Sequence, residues 1–230
     1  VPEVNPHLLE VMPARRIFPV ANCSVIQLMV ALGPIHRAAR IRRIVLCTYQ
    51  STSGAGRRAM EELSRQVSDL FSYREPRAEV FPHRIAFNVL PQIDRFLEDG
   101  STGEEAKIVQ ETRKILEDES IGVSVTAVRV PTFHCHAEAV NVETEENLTP
   151  ERAKEILKRA PGLIVVDEEK RPYPVLTDAE GRDEVYVGRI RKDPSRPNCL
   201  NLWVVADNLR KGAALNALQI IESLRGRALI

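Results

Sequence analysis

Cys23 stands in Phe18-Pro-Val-Ala-Asn-Cys-Ser-Val-Ile-Gln-Leu-Met-Val-Ala-Leu32, after an irregular proline-containing run and at the head of an apolar, helix-like one. A cysteine at a helix start faces unpaired backbone N–H groups and the positive end of the macrodipole, which favour thiolate over thiol. The same N–H groups would hold the oxyanion on a carbonyl that the thiolate attacks. A small buried hydrophobe is the commoner fate of a free cysteine, and these residues alone favour that reading, which leaves the decision to the rest of the chain.

Other residue types bear on the choice. Histidine titrates near neutrality, so one histidine of His134-Cys135-His136 would suit a thiol as its acid/base partner, against the alternative of a structural histidine at a strand end. A metal reading of that triplet fails: two ligands one residue apart need partners, the sequence offers no companion cluster, and extended alternation would point Cys135 away from both histidines. Arg129 lies in the otherwise apolar run Val123-Ser-Val-Thr-Ala-Val-Arg-Val130, and a buried arginine needs an anionic partner from protein or ligand. Glu104 and Lys107 have the spacing of an ion pair on one helix face, ordinarily worth about 0.2–0.5 kcal/mol. Gly54-x-Gly56-x-x-Ala59 has the shape of a dinucleotide fingerprint. Its first glycine does not follow a strand directly, and no acidic residue ends a second strand near Glu75 or Glu79, so a self-contained Rossmann domain is rejected. The glycines still permit a ligand to approach the backbone closely.

The elements that must position these residues are a mixture. Helices are predicted from Cys23 to a stop at Gly33-Pro34, along the stripe Met60, Leu63, Val67 and Leu70, after the capping box Thr102-Gly-Glu-Glu105 with Ile108, Thr112 and Ile115 inward, after Thr149-Pro150, and from about Lys211 to Leu224. Strands are predicted at 42–49, 122–130, 136–142, 163–167, 185–190 and 199–206, with the second and third paired across the bend at Pro131 to Cys135 and a short extended piece at 85–89. Helices and strands do not alternate strictly, which gives an α+β fold with a mixed or antiparallel sheet flanked by helices.

Composition excludes several classes. The 230 residues carry 32 Lys+Arg and 32 Asp+Glu, without a dense basic block, so nucleic acid is not an expected partner. No apolar run approaches a membrane span. The four cysteines, Cys23, Cys47, Cys135 and Cys199, are too dispersed for a secreted disulfide scaffold, which points to a reducing cytoplasm.

Seven blocks, Ala21–Gln27, Thr48–Gly56, Phe87–Asp94, Glu104–Lys107, Val128–Glu138, Tyr186–Arg191 and Trp203–Gly212, together resemble the bacterial aspartate-β-semialdehyde dehydrogenases, in the family's order and from end to end of the chain. The resemblance implies a catalytic domain of the glyceraldehyde-3-phosphate-dehydrogenase-like type and NADP-dependent interconversion of aspartyl-β-phosphate with aspartate-β-semialdehyde and phosphate, in lysine, threonine and methionine biosynthesis. It also implies roles: Cys23 as the thioester-forming nucleophile, His136 as acid/base, Gln50 to orient the acyl group, Arg129 for the substrate carboxylate, Glu104 for its amino group, Asn22 and Lys107 for phosphate, and Ser53, Gly54 and Asn208 near the nicotinamide. No metal is implied.

Ala21 stands where the family often has proline, and Ala137 where it often has serine. By the same resemblance, residues 1–12 form a linker from an absent N-terminal coenzyme domain, 13–207 the catalytic and dimerisation domain, and 208–230 a helix that packs back on the coenzyme domain. A homodimer through the sheet is implied, and weak NADP binding with little turnover is expected of this chain alone. The contrasting expectations are a non-catalytic dimerising relative of the same fold and a related acyl-phosphate reductase.

Overall fold

The structure, a computed structural model, describes residues 1–230. Helix α1 spans Cys23–Ala39 and is capped by Asn22, whose side chain accepts from the backbone N–H groups of Ser24 and Val25. It runs through Gly33-Pro34, which had been expected to stop it. Proline within a helix costs about 3 kcal/mol, but Leu28, Met29, Leu32 and Ile35 are all fully buried, and burying each such side chain contributes about 1.5–3 kcal/mol. Packing therefore outweighs the local penalty.

Strand β1 (Ile41–Gln50), helices α2 (Arg57–Phe71) and α3 (Gly103–Leu116), and strands β2 (Gly122–Arg129) and β3 (His136–Thr144) follow. Then come α4 (Pro150–Lys158), β4 (Leu163–Val166), the short α5 (Leu176–Ala179), β5 (Val185–Lys192), β6 (Cys199–Ala206) and α6 (Leu215–Gly226). The capping box at Thr102 and Glu105 is formed. The closing helix begins as a π-helical turn at Arg210–Ala214.

The six strands form one mixed sheet in the order β2-β1-β3-β6-β5-β4. The expected pairing of β2 with β3 is corrected: β1 lies between them, parallel to β2 and antiparallel to β3. Parallel neighbours need a long crossover, and α2 and α3 supply it between β1 and β2. The bend before β3 carries the chain past β1 and is not extended, since Cys135 has φ 66°. The segment 85–89 is a turn instead of an extended piece, with Phe87 at φ 56°, and leads to a single bridge between Leu90 and Arg129.

Strand alternation sorts the two faces of the sheet. Ile44, Leu46, Val140, Val142, Leu200, Leu202 and Val204 join α1, α3 and α4 in the main core. Tyr49 and Trp203, ring centroids 5.5 Å apart, lie on the other face, which carries little helix. The N-terminal segment packs with the last helix, Leu9 meeting Ile220 and Leu224. Beside it the buried Lys211 ammonium donates to both carboxylate oxygens of Glu3 (2.7 and 2.8 Å), to Asn216 and to Gln219.

Candidate active site

Three predicted site residues form one row across the sheet. Gln50, the last residue of β1, pairs in register with Arg129 of β2 on one side and with His136 of β3 on the other. All three are buried. The heads of two helices arrive at this row. Cys23 is the first residue of α1 and Glu104 the second of α3, and a single carboxylate oxygen joins them: Glu104 Oε1 accepts from Asn22 Nδ2 (2.9 Å) and from Gln50 Nε2 (3.1 Å). Glu104 Oε2 remains available to a ligand. The caps take first-turn N–H groups of the two helices, Asn22 accepting from Ser24 and Val25 and Thr102 from Glu105, so what the two side-by-side N-termini offer an anion is chiefly their positive dipole ends.

His136 is oriented by Ser51. The Ser51 backbone N–H donates to His136 Nδ1 at 3.1 Å, and Ser51 Oγ lies 3.2 Å from the same nitrogen. A main-chain N–H only donates, so the neutral ring carries its proton on Nε2. That nitrogen is buried without a protein partner. A Cβ built on Gly54 would stand 3.1 Å from His136 Nε2 and 2.8 Å from Arg129 Nη1, so both groups converge where only glycine fits. Arg129 Nη1 donates to the Ser51 carbonyl at 2.7 Å. No protein carboxylate hydrogen-bonds this guanidinium. It shares a cavity of about 270 Å3 with Ala55, Gln92 and Asp94.

The electrostatics correct one expectation. Burial pushes the Cys23 thiol up to about 11, and the Glu104 carboxylate adds to that shift, outweighing the Ser24 N–H and the Arg129 charge. The helix start therefore does not make a resting thiolate here. Burial, with Arg129 nearby, holds the His136 imidazole down to about 3, so it rests neutral.

The remaining predicted residues have varied surroundings. The Asn22 side chain caps α1 and braces Glu104. Lys107 is separated from the expected pairing with Glu104: its Nζ donates to Asp94 at 3.1 Å, with the lysine side chain 54% exposed. Ser53 and Asn208 hydrogen-bond each other at 3.0 and 3.1 Å, and Asn208 Oδ1 also accepts from the Cys135 N–H, which fixes the loop beside His136. Gly54 is the exposed member of that trio. His134 faces Glu180, at 4.0 Å, and is not part of the site. No group of three or more potential metal ligands occurs.

Two residues escaped the sequence reading. Ser51 follows Gln50 and has no signal of its own beyond that position. Gly212, in the π-helical turn, packs closely on the nucleophile's residue: a Cβ there would stand 3.1 Å from Cys23 Cβ, so the cysteine would have to give way. A conspicuous small residue near Asn208 was its only sequence mark. A larger groove of about 480 Å3, lined by Tyr173, Arg189, Arg191 and Trp203, lies on the sheet's other face and is unrelated to the cysteine.

A family model described as semialdehyde dehydrogenase, dimerisation domain, matches residues 32–211. The chain is 53% identical to aspartate-semialdehyde dehydrogenase of Aquifex aeolicus over 100% of its own length and 68% of that protein, and 52% identical to the Legionella pneumophila enzyme over 94% of its length and 63% of that protein. Its fold is similar to that of aspartate semialdehyde dehydrogenase II from Vibrio cholerae complexed with ASA, with TM-score 0.95 and 47% identity, covering 97% of this chain and 66% of that one. The Candida albicans aspartate semialdehyde dehydrogenase with NADP gives TM-score 0.68 and 26% identity over 92% and 58%. The chain thus spans about two thirds of the length of these relatives, between 58% and 68%.

Proposed function

Because the chain belongs to the aspartate-semialdehyde dehydrogenase family, we propose that it supplies the nucleophile and substrate site for NADP-dependent reduction of aspartyl-β-phosphate to aspartate-β-semialdehyde and phosphate. The observation that carries this reading is the convergence of Cys23, Gln50, Glu104, Arg129 and His136 at the heads of two helices.

In this reading the substrate's ammonium group binds Glu104 and its α-carboxylate binds Arg129. Neutralising Glu104 removes one of the two main influences that hold the proton on Cys23. Neutral His136 accepts that proton at Nε2 in its Nδ1–H tautomer, which requires the Ser51 N–H to release Nδ1 so that Ser51 Oγ accepts the Nδ1–H in its place. The Cys23 thiolate attacks the acyl carbon, the C–O bond to phosphate breaks, and a thioester remains. Gln50 orients the acyl group. The His136 Nε2–H and the positive end of α1 stabilise the oxyanion. Lys107 and Asn22 receive the departing phosphate.

NADPH, when bound, supplies the hydride that reduces the thioester. The residues present fit the edge of a nicotinamide: Gly54 leaves room where a Cβ would meet Arg129 and His136, and Ser53 and Asn208 hold its loop. The other coenzyme contacts are assigned to protein outside these 230 residues, in keeping with relatives that are longer by about half. A homodimer through the less covered sheet face and a reducing cytoplasmic setting are part of the same proposal. The family model's description supports the former, and four free cysteines fit the latter. No helix is long and apolar enough to cross a membrane.

The test is oxidation of aspartate-β-semialdehyde by NADP in the presence of phosphate, measured on the complete protein. Turnover is expected, and Cys23→Ser should abolish it. Retained turnover in Cys23→Ser would overturn the reading. Titration calorimetry on this chain alone should show only weak NADP binding.

A further inference from the structure

The reading above leaves one buried acid without a role. Glu138 lies on β3 two residues beyond His136 and on the same face of the sheet, fully buried. Its neighbours across the sheet are Thr48 of β1 and Val204 of β6, neither of them charged. From α1 it is met by Gln27, one helical turn beyond Cys23 and fully buried as well. Both carboxyl oxygens of Glu138 and both amide heteroatoms of Gln27 lack a well-formed hydrogen bond to any protein group. Unsatisfied buried polar atoms in a pair are costly, and a core of this composition could hold leucine at either position. Such a cost, sited between the element that carries the nucleophile and the strand that carries the imidazole, is the pattern expected where stability is given up for function.

We propose that Glu138 is a positioning residue: its carboxyl, set against the Gln27 amide, couples the first turns of α1 to β3 and so fixes Cys23 relative to His136. Burial holds this carboxyl well above the usual carboxylate range, so it faces Gln27 as an uncharged acid with one O–H to donate. The ionisable groups around it are Cys23 on α1 and His136 on its own strand, the first a thiol and the second neutral at physiological pH. No cation pairs with it. An amide of the same shape should therefore replace it, whereas an apolar side chain should not.

This inference rests on the enzymatic reading for its kinetic arm alone. In the complete protein, Glu138→Gln should keep kcat within about twofold, while Glu138→Leu should lower kcat about tenfold or more with KM little changed, misplacement by about 1 Å being able to cost a hundredfold. The melting temperature of Glu138→Leu should equal or exceed that of the parent. Wild-type kcat in Glu138→Leu, or an equal loss in Glu138→Gln, overturns the proposal. The second arm needs no turnover: the Glu138 charge contributes to raising the Cys23 thiol only at pH high enough to ionise that carboxyl, so alkylation of Cys23 near neutral pH should be unchanged in Glu138→Gln and altered in Glu138→Leu. Faster alkylation near neutral pH in Glu138→Gln would mean that the native carboxyl is ionised there, and would overturn the proposal even if the protein proves to reduce no acyl phosphate.

Discussion

Glu104 and Lys107 lie one turn apart on the same helix, yet they belong to different parts of the site. Glu104 is buried and braced by Asn22 and Gln50, with its charge acting on Cys23. Lys107 is half exposed and tied only to Asp94. The difference separates groups whose positions and protonation are set by the fold from a rim charge that water already solvates. Buried groups respond to each other strongly, and the rim pair responds weakly.

The largest effect should appear in stability. The folded His136 imidazole sits at about 3, below its ordinary 6.5. The unfolded chain therefore binds the additional proton between those values, so this contribution is intact above pH 6.5 and is lost as pH falls toward 3. Denaturant titrations across that range should show an acid-dependent loss on the order of a few kcal/mol, and His136→Gln should remove much of the dependence. Next is Arg129→Leu, which removes the one guanidinium facing the cavity and should raise KM by about thirtyfold or more, the scale of a lost buried charge contact. Glu104→Gln divides two readouts: turnover should fall about tenfold, while Cys23 alkylation near neutral pH should become faster because a charge that raises its thiol is gone. The smallest effect belongs to the rim. Asp94→Asn should alter kcat/KM by no more than about fivefold, in keeping with an exposed ion pair worth about 0–1 kcal/mol. A large effect of Asp94→Asn beside a small one of Arg129→Leu would reverse the comparison.

Much of this was legible in the chain because the signals are local. The Asn22-Cys23 helix start, the Thr102–Glu105 capping box and the buried Arg129 depend on a few neighbouring residues, and each is present. The mixed sheet and its strands followed from periodicity. What could not be read depends on distant packing. Nothing near Pro34 shows that its helix is enclosed on all sides, and nothing in β2 or β3 says that β1 lies between them. Cys23 is the clearest case. The helix-start argument gave the right direction for one influence, but the magnitude was decided by burial and by Glu104, eighty-one residues away along the chain. Lys107 likewise took its partner from Asp94, across a loop whose path no periodicity reveals.

The central claim is that Cys23 carries the acyl group. Incubating the complete protein with aspartate-β-semialdehyde and NADP without phosphate, quenching in acid and mapping the peptides by mass spectrometry tests it directly. One aspartyl group should be found in thioester linkage on the peptide containing Cys23, and none on those containing Cys47, Cys135 or Cys199. An aspartyl adduct on another cysteine, or turnover with no adduct at any, would contradict the account.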